Sequence, residues 1–376
     1  MTPSVKLNWE VLRNGSHFVL RRAGRYVVAE LAGPHLILST SARNGGQTRG
    51  LRYVGNHQSC EGAAHIERQN LIHQLGQVGY HDLVCSEIGL RADEVALMGT
   101  AANMNCVALA NESDFGLEVT AAVTAGVQGN AACAGDPAGW REGESGWEKI
   151  GGTINTMLFI NRPLTEAAMA RAVVTMTEAK STALQRLAVR SLYSSDMATG
   201  TGTDQFAIAA PETAGYPLTS TSPHVKLGEL IGRTVRDATL EALRWQNGLE
   251  ASYTRSIFSA LGRFGLREES FFDEIAPLLT ESSLLLMRKN SKAVFYEPHV
   301  AAAAYAFAAV MDRIRYDTLP QNAANAVLRQ QAASMAVSLS AKPQLWEQFH
   351  AALAEQDPVR LVLHALAIGW IAKWQS

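Results

Sequence analysis

The sequence predicts an α/β body of the α+β kind, built on a mixed or antiparallel sheet and followed by an all-helical C-terminal region. Three observations predict it. The first half consists of short runs dense in β-branched and apolar residues, punctuated by glycine. Two long segments, 165–190 and 226–246, carry apolar residues at helical spacing instead. Beyond Gly248 the composition shifts to alanine and leucine with few glycines, which marks a boundary. Two domains are therefore expected, residues 1–248 and 249–376.

Predicted strands run over 18–23, 25–31, 35–40, 95–100, 117–127, 153–161 and 205–209, several of them alternating apolar with polar residues. In the helix over 165–190 the apolar positions are Met169, Ala172, Val173, Met176, Ala179, Leu184 and Leu187, and Leu164-Thr165-Glu166 supplies an N-cap-like start. After Gly248, segments 253–264, 269–279, 299–312, 323–340, 345–355 and 358–374 are helical in pattern and separated by short polar stretches.

Composition narrows the function. The 376 residues are 47% hydrophobic and 18% charged, enough for a sizeable core and incompatible with disorder. Lys and Arg total 33 against 35 for Asp and Glu, so no net field attracts nucleic acid or anionic lipid. The longest apolar run, residues 300–311, falls short of the roughly 18 residues of a membrane span, and Met1-Thr2-Pro3-Ser4 lacks signal-peptide features. Cys60, Cys85, Cys106 and Cys133 show no CxxC spacing, which leads us to expect reduced thiols and a cytoplasmic protein.

Several stretches are poor core material and good chemistry. In Gly200-Thr201-Gly202-Thr203-Asp204, glycines let backbone N–H groups approach a ligand while hydroxyls and a carboxylate add donors and an acceptor. Such a run is either an anion- or amide-binding loop or a solvated connection; without the GxxxxGK[ST] lysine it is no nucleotide P-loop. Asn44-Gly45-Gly46 reads first as a simple turn. Glu178 and Lys180 lie about 200° apart around a helix, so one of them is expected to face inward. Asn155 opens a strand and either points its amide toward a cleft or caps a turn. Residues 129–146, with Asn130, Asp136 and Trp140 and followed by Trp147, read as a long functional loop. His57, Glu61 and His65 would share one face of a helix, a weak metal-ligand alternative that is not HExxH and is interrupted by Gly62. Cys133 sits among small residues, as packed thiols do, and a GxSxG nucleophile elbow is absent.

Taken in order, Asn44-Gly45-Gly46 with Asn56, Met98-Gly99-Thr100-Ala101-Ala102, TAAVTAG at 120–126, Gly152-Thr153-Ile154-Asn155, Thr177-Glu178-Ala179-Lys180 with Ala183-Leu184, and Gly200 through Asp204 resemble the adenosylcobinamide amidohydrolase family of corrinoid salvage. The resemblance runs from about Ser39 to Gly248. It implies hydrolysis of the amide joining aminopropanol to the corrin ring of adenosylcobinamide, giving adenosylcobyric acid, with the corrinoid as substrate and no required cofactor. A non-catalytic corrinoid-binding or carrier protein is the alternative. The helical tail lies outside the resemblance; its alanine-rich helix over 300–310 is expected to pack on another helix or on a second copy.

Amide hydrolysis needs an activated nucleophile, donors for the tetrahedral oxyanion and an acid for the leaving amine. On side-chain chemistry, Glu178 or Asp204 is expected to activate water, with Lys180, Asn155 and the N–H groups of 200–203 at the oxyanion. Thr124 or Thr203 is the rival, as direct nucleophile. Asn44, Gly45, Gly46, Asn56, Met98, Thr100, Gly200, Thr201 and Gly202 are the expected substrate contacts, in a cleft walled by Met98, Trp140 or Trp147.

Overall fold

The computed structural model describes residues 7–59, 65–137, 153–213 and 215–375. The chain divides into two compact units, Met1–Glu250 and Ala251–Ser376. The first is α/β with two mixed sheets and the second is helical, as expected from the sequence. Among the described residues, no helix is long and apolar enough to cross a membrane.

In the first unit, β1 (Glu10–Asn14), β2 (Phe18–Ala23), β3 (Tyr26–Leu31), β4 (His35–Ser39), β5 (Gly46–Arg49) and β6 (Tyr53–Gln58) precede helix α1 (His65–Glu87). Strands β7 (Val95–Thr100), β8 (Ala108–Asp114), β9 (Leu117–Ala125), β10 (Ala131–Ala132) and β11 (Ile154–Ile160) lead to α2 (Glu166–Arg186). Then come β12 (Gly200–Thr201), β13 (Gln205–Pro211) and α3 (Lys226–Asn247). One sheet has the order β1-β2-β3-β6-β7 and a second β5-β4-β13-β11-β9-β8, while β10 and β12 form a two-stranded ribbon. Pairing is antiparallel except at β6–β7 and β11–β13. Both exceptions follow from connection length: α1 carries the chain from β6 to β7 and α2 from β11 toward β13, and parallel neighbours need such crossovers.

Side-chain alternation builds the layers. Met157, Ala207 and Ala209 meet Leu20, Val27, Val54 and Met98 in a core between the two sheets. Their neighbours Leu158, Ile208 and Ala210 point the other way, packing with Val119 and Val123 against Met169, Leu184, Ile231 and Leu243 of α2 and α3. On the outer side of the first sheet, Val28, Val95 and Leu97 pack against Tyr80 and Val84 of α1. The order is thus α1, sheet, sheet, α2 with α3. Strand β11 is covered on both faces, so it reads as a continuous apolar run with Asn155 as its lone amide.

The sequence gives no warning of β1, β5, β6, β8 or α1. Strands β5 and β8 lie at sheet edges, where polar side chains are tolerated, and β6 spends Asn56, His57 and Gln58 on polar positions. In α1, Gly76 and Gly79 interrupt the apolar spacing, and the helix breaks at Gly76 (φ 67°, ψ 174°). Helix α2 opens on the expected cap, Thr165 accepting from the Ala168 N–H, but ends at Arg186 because Ala188 turns left-handed (φ 49°).

The second unit holds α4 (Ile257–Leu261), α5 (Phe271–Ile275), α6 (Glu281–Lys289), α7 (Lys292–Phe295), α8 (Pro298–Arg315), α9 (Gln321–Ser340), α10 (Trp346–Ala352) and α11 (Pro358–Lys373). Its core gathers Phe271, Phe295, Phe307, Met335, Leu366 and Trp370. The alanine-rich face of α8, with Ala301, Ala304 and Ala308, is buried within this unit, where the helix lies against α4 and α9.

Candidate active site

At one end of the sandwich β6, β7 and β9 finish while β11 and β13 begin, and the polar residues of these strands meet there. Register aligns Asn155 with Thr124 of β9 on one side and Gln205 of β13 on the other. Facing them across the core are Asn56 of β6 and Gly99 of β7. The Asn56 amide donates to Thr124 Oγ1 at 2.8 Å, and the Asn155 amide donates to Asn56 Oδ1 at 2.9 Å and to the Gly99 carbonyl at 3.0 Å. Gln205 Oε1 accepts from the Gly99 N–H at 3.2 Å, so side chains of the second sheet grip both backbone groups of Gly99. Asn56, Thr124 and Asn155 are essentially inaccessible. With both hydrogens of Asn155 committed, its amide holds the two sheets together and does not face an oxyanion. Thr124 is likewise fully buried, with its hydroxyl oxygen accepting from the Asn56 amide.

On the opposite face of the second sheet lies the glycine–threonine loop. Asp204 receives Ile154 N–H (2.9 Å) and the Thr201 hydroxyl on Oδ1, and Thr201 N–H (3.1 Å) and the Lys180 ammonium on Oδ2. All four acceptor positions of the carboxylate are thereby filled. Gly200 makes room for this: a Cβ there would lie 2.4 Å from Asp204 Oδ2 and 2.8 Å from Lys180 Nζ. The two faces are connected through Thr153, whose hydroxyl donates to the Thr203 carbonyl and stands 3.3 Å from Asn155 Oδ1. Thr203 is half-buried, with the Asn130 amide 3.5 Å from its Oγ1, and the Tyr193 hydroxyl donates to Asn130 Oδ1 at 2.8 Å.

The structure thus joins Lys180, Asp204, Gly200, Thr201 and Thr203 into one cluster and Asn56, Thr124 and Asn155 into another, bridged by Thr153. It does not bring Glu178 to either: Glu178 stands exposed on α2, and Lys180 is the member of the pair that turns inward. Met98 is no cleft wall, since it is buried between the sheets, and Thr100 is spent on capping the Ala102 N–H. Asn44 donates to the carbonyls of Ala92 and Val95, at the start of β7. At about 3.3 Å per residue that is roughly 13 Å along the strand from Gly99. Asn44, Gly45 and Gly46 therefore pin a turn, with Gly45 pressed on the Ser41 carbonyl, and do not reach the amide network. Gly202 is exposed at the tip of its loop.

The metal alternative loses its helix. His57 is on strand β6, while Glu61 and the side chain of His65 lie outside the described residues, as do Cys60, Trp140 and Trp147. Among the described residues no group of three or more His, Cys, Asp or Glu side chains converges as metal ligands would.

Next to the Gly99 clamp opens a cavity of about 190 Å³ lined by His57, Ser59, Tyr80, His81, Gly99 and Gln205, with Thr40, Ala42 and Leu97 among the rest. His57 Nδ1 is 2.9 Å from the Met98 carbonyl, whereas Nε2 is buried and has no hydrogen-bond partner. Burial lowers the imidazole pKa to about 4, a direction to which Arg68 and Arg25 add and Glu87 is opposed. Sequence reasoning gave His57 only as a metal ligand and missed Tyr80, His81 and Gln205. Gln205 follows Asp204 directly, so strand alternation across that pair was the available signal; Tyr80 and His81 sit in the unforeseen α1 and had none.

Comparison with known proteins adds to this geometry. A family model described as adenosylcobinamide amidohydrolase matches residues 12–251. An uncharacterized protein of Methanocaldococcus jannaschii is 34% identical over 212 residues, 53% of this chain and 80% of the relative. Among solved structures, the PH0078 protein from Pyrococcus horikoshii OT3 aligns over 63% of this chain and 83% of its own, at 11% identity and a TM-score of 0.28, too distant to bear on fold or function. The family match takes in nearly all of the first unit, including both polar clusters and the described cavity wall, and on that ground the chain belongs to the adenosylcobinamide amidohydrolase family.

Proposed function

We propose that this protein hydrolyses the amide bond between aminopropanol and the corrin ring of adenosylcobinamide, releasing adenosylcobyric acid. The observation that carries the reading is the family match across residues 12–251, which spans the polar end of the sandwich. The cavity supports it by size. At about 190 Å³ it is smaller than the roughly 300–1,000 Å³ of a pocket that encloses a drug-sized ligand. It suits the amide arm of a corrinoid and leaves the ring outside. In this reading the Lys180–Asp204 pair fixes the loop carrying Thr201 to Thr203, which leads directly into Gln205 of the cavity wall, and no nucleotide or redox cofactor enters the reaction. A reducing compartment, the cytoplasm, is part of the same proposal.

The test is incubation of the purified chain with adenosylcobinamide, following free aminopropanol and adenosylcobyric acid by mass spectrometry. Equal molar release of both is the expected result. Folded protein that binds the corrinoid and releases neither would leave the binding or carrier role in its place.

A further inference from the structure

We propose that His57 is the proton carrier of this hydrolysis, taking a proton from the attacking water at Nε2 and returning it to the leaving amine. The inference rests on the hydrolase reading above and adds to it a residue and a role.

Geometry carries it. The Met98 carbonyl can only accept, so the hydrogen bond at 2.9 Å places the imidazole proton on Nδ1 and leaves the lone pair on Nε2. A buried polar atom without a partner is uncommon, and here it belongs to a ring lining a cavity of mixed polar and apolar walls that is roomy enough for water. The ring is also held still. A Cβ at residue 99 would come within 3.1 Å of His57 Cε1, a tight contact that glycine spares the ring, and Gly99 is itself clamped by Asn155 and Gln205. The Tyr80 ring covers another side, with centroids 5.5 Å apart. The buried amide network thereby acquires a purpose: Asn56, Asn155 and Gln205 are positioning residues for the wall against which His57 rests.

Among the described residues, the charged and titratable groups around the ring are Arg25 and Tyr26 on or beside β3, and Arg68, Tyr80, His81 and Glu87 on α1. Burial, aided by the two arginines, outweighs the Met98 hydrogen bond and Glu87 and keeps His57 neutral at pH 7, the state a proton acceptor needs.

The chemistry balances with water alone. The water oxygen bonds to the amide carbon as its proton passes to Nε2. The tetrahedral intermediate then collapses, the C–N bond breaks, and the Nε2 proton moves to the departing nitrogen. Carboxylic acid and amine leave, and the imidazole is neutral again.

His57→Asn tests this, because asparagine can still donate to the Met98 carbonyl but cannot accept a proton. We expect kcat to fall at least 100-fold with corrinoid affinity within threefold of the parent, and added imidazole to restore part of the rate in proportion to its neutral fraction. His57→Gln serves as the second variant should H57N fail to fold by circular dichroism. A folded variant turning over within threefold of the parent overturns the role of His57 while the hydrolase reading stands. A variant that is slow, unresponsive to imidazole and lower in unfolding midpoint shows a packing role and overturns it equally. A parent chain that releases no aminopropanol overturns the hydrolase reading and this step with it.

Discussion

Asp204 is a carboxylate whose acceptor positions are all spent on donors of the fold itself. Four donors, two of them backbone N–H groups, converge on its carboxylate, and the Lys180 and Asp204 side chains are only 13% and 18% exposed. Asp204→Asn would turn an NH2 group toward donors that need an acceptor. Removing one partner of a fully buried ion pair costs about 3–5 kcal/mol; partial exposure reduces this, and we expect D204N to lose about 2–3 kcal/mol in urea unfolding, with turnover falling as the loop loosens. Glu178→Gln should instead leave both stability and turnover within error, since the side chain is exposed; a hundredfold loss of turnover in E178Q would return Glu178 to the site. Helical spacing says that Glu178 and Lys180 face apart but not which faces in; that is decided by the buried Met176, Ala179 and Ala183, which set the face of α2 that meets the sheet. In the same way the residue types of Asn56, Asn155 and Thr124 are visible in the sequence. Their mutual saturation is not, because it depends on three strands from two sheets meeting at one level, two as they end and one as it begins.

At the scale of elements, the break in α1 matters most. Gly76 has φ 67° and ψ 174°, a combination essentially confined to glycine, and Ile72 and Gln77 on either side of it line the cavity. A continuous helix would carry the second half of α1, with Tyr80 and His81, along a different line over β6 and β7. Gly76→Ala should therefore cost about 1–3 kcal/mol of stability and raise KM for the corrinoid, and thermal unfolding with steady-state kinetics will show both. An unchanged KM would mean that the break does not shape the cavity. The elements that the sequence announces are those with one dominant signal: β11 and β13 as largely apolar runs, and α2 and α3 as amphipathic helices, α2 with a cap. Those it hides carry mixed signals, an edge strand such as β8 with Asn111, Glu112 and Asp114, or α1 with glycines inside and polar residues aimed at the site. Functional elements break local rules for the sake of the site, and so read worst.

In the molecule as a whole, the first unit buries histidines and the cost of that appears as pH dependence. Burial lowers the pKa of His57 to about 4 and lowers those of His35 and His81 from the ordinary value of 6.5, against opposing hydrogen bonds from backbone carbonyls. Above pH 6.5 these rings are neutral in both folded and unfolded chains and exert no pull. As pH falls below 6.5 the unfolded chain takes up protons that the folded one refuses, so stability declines, and for His57 the decline continues to about pH 4 and then levels off. The shift of His57 alone corresponds to about 3 kcal/mol across that window at 1.36 kcal/mol per unit. Urea unfolding of the full chain at pH 7, 5.5 and 4.5 should show the midpoint of the first unit moving down with pH. His57→Asn, which has nothing to protonate there, should flatten the slope by nearly one proton. Equal slopes in parent and variant would mean that His57 titrates normally in the folded chain, and the neutral, buried imidazole at the end of the sandwich would have to be given up.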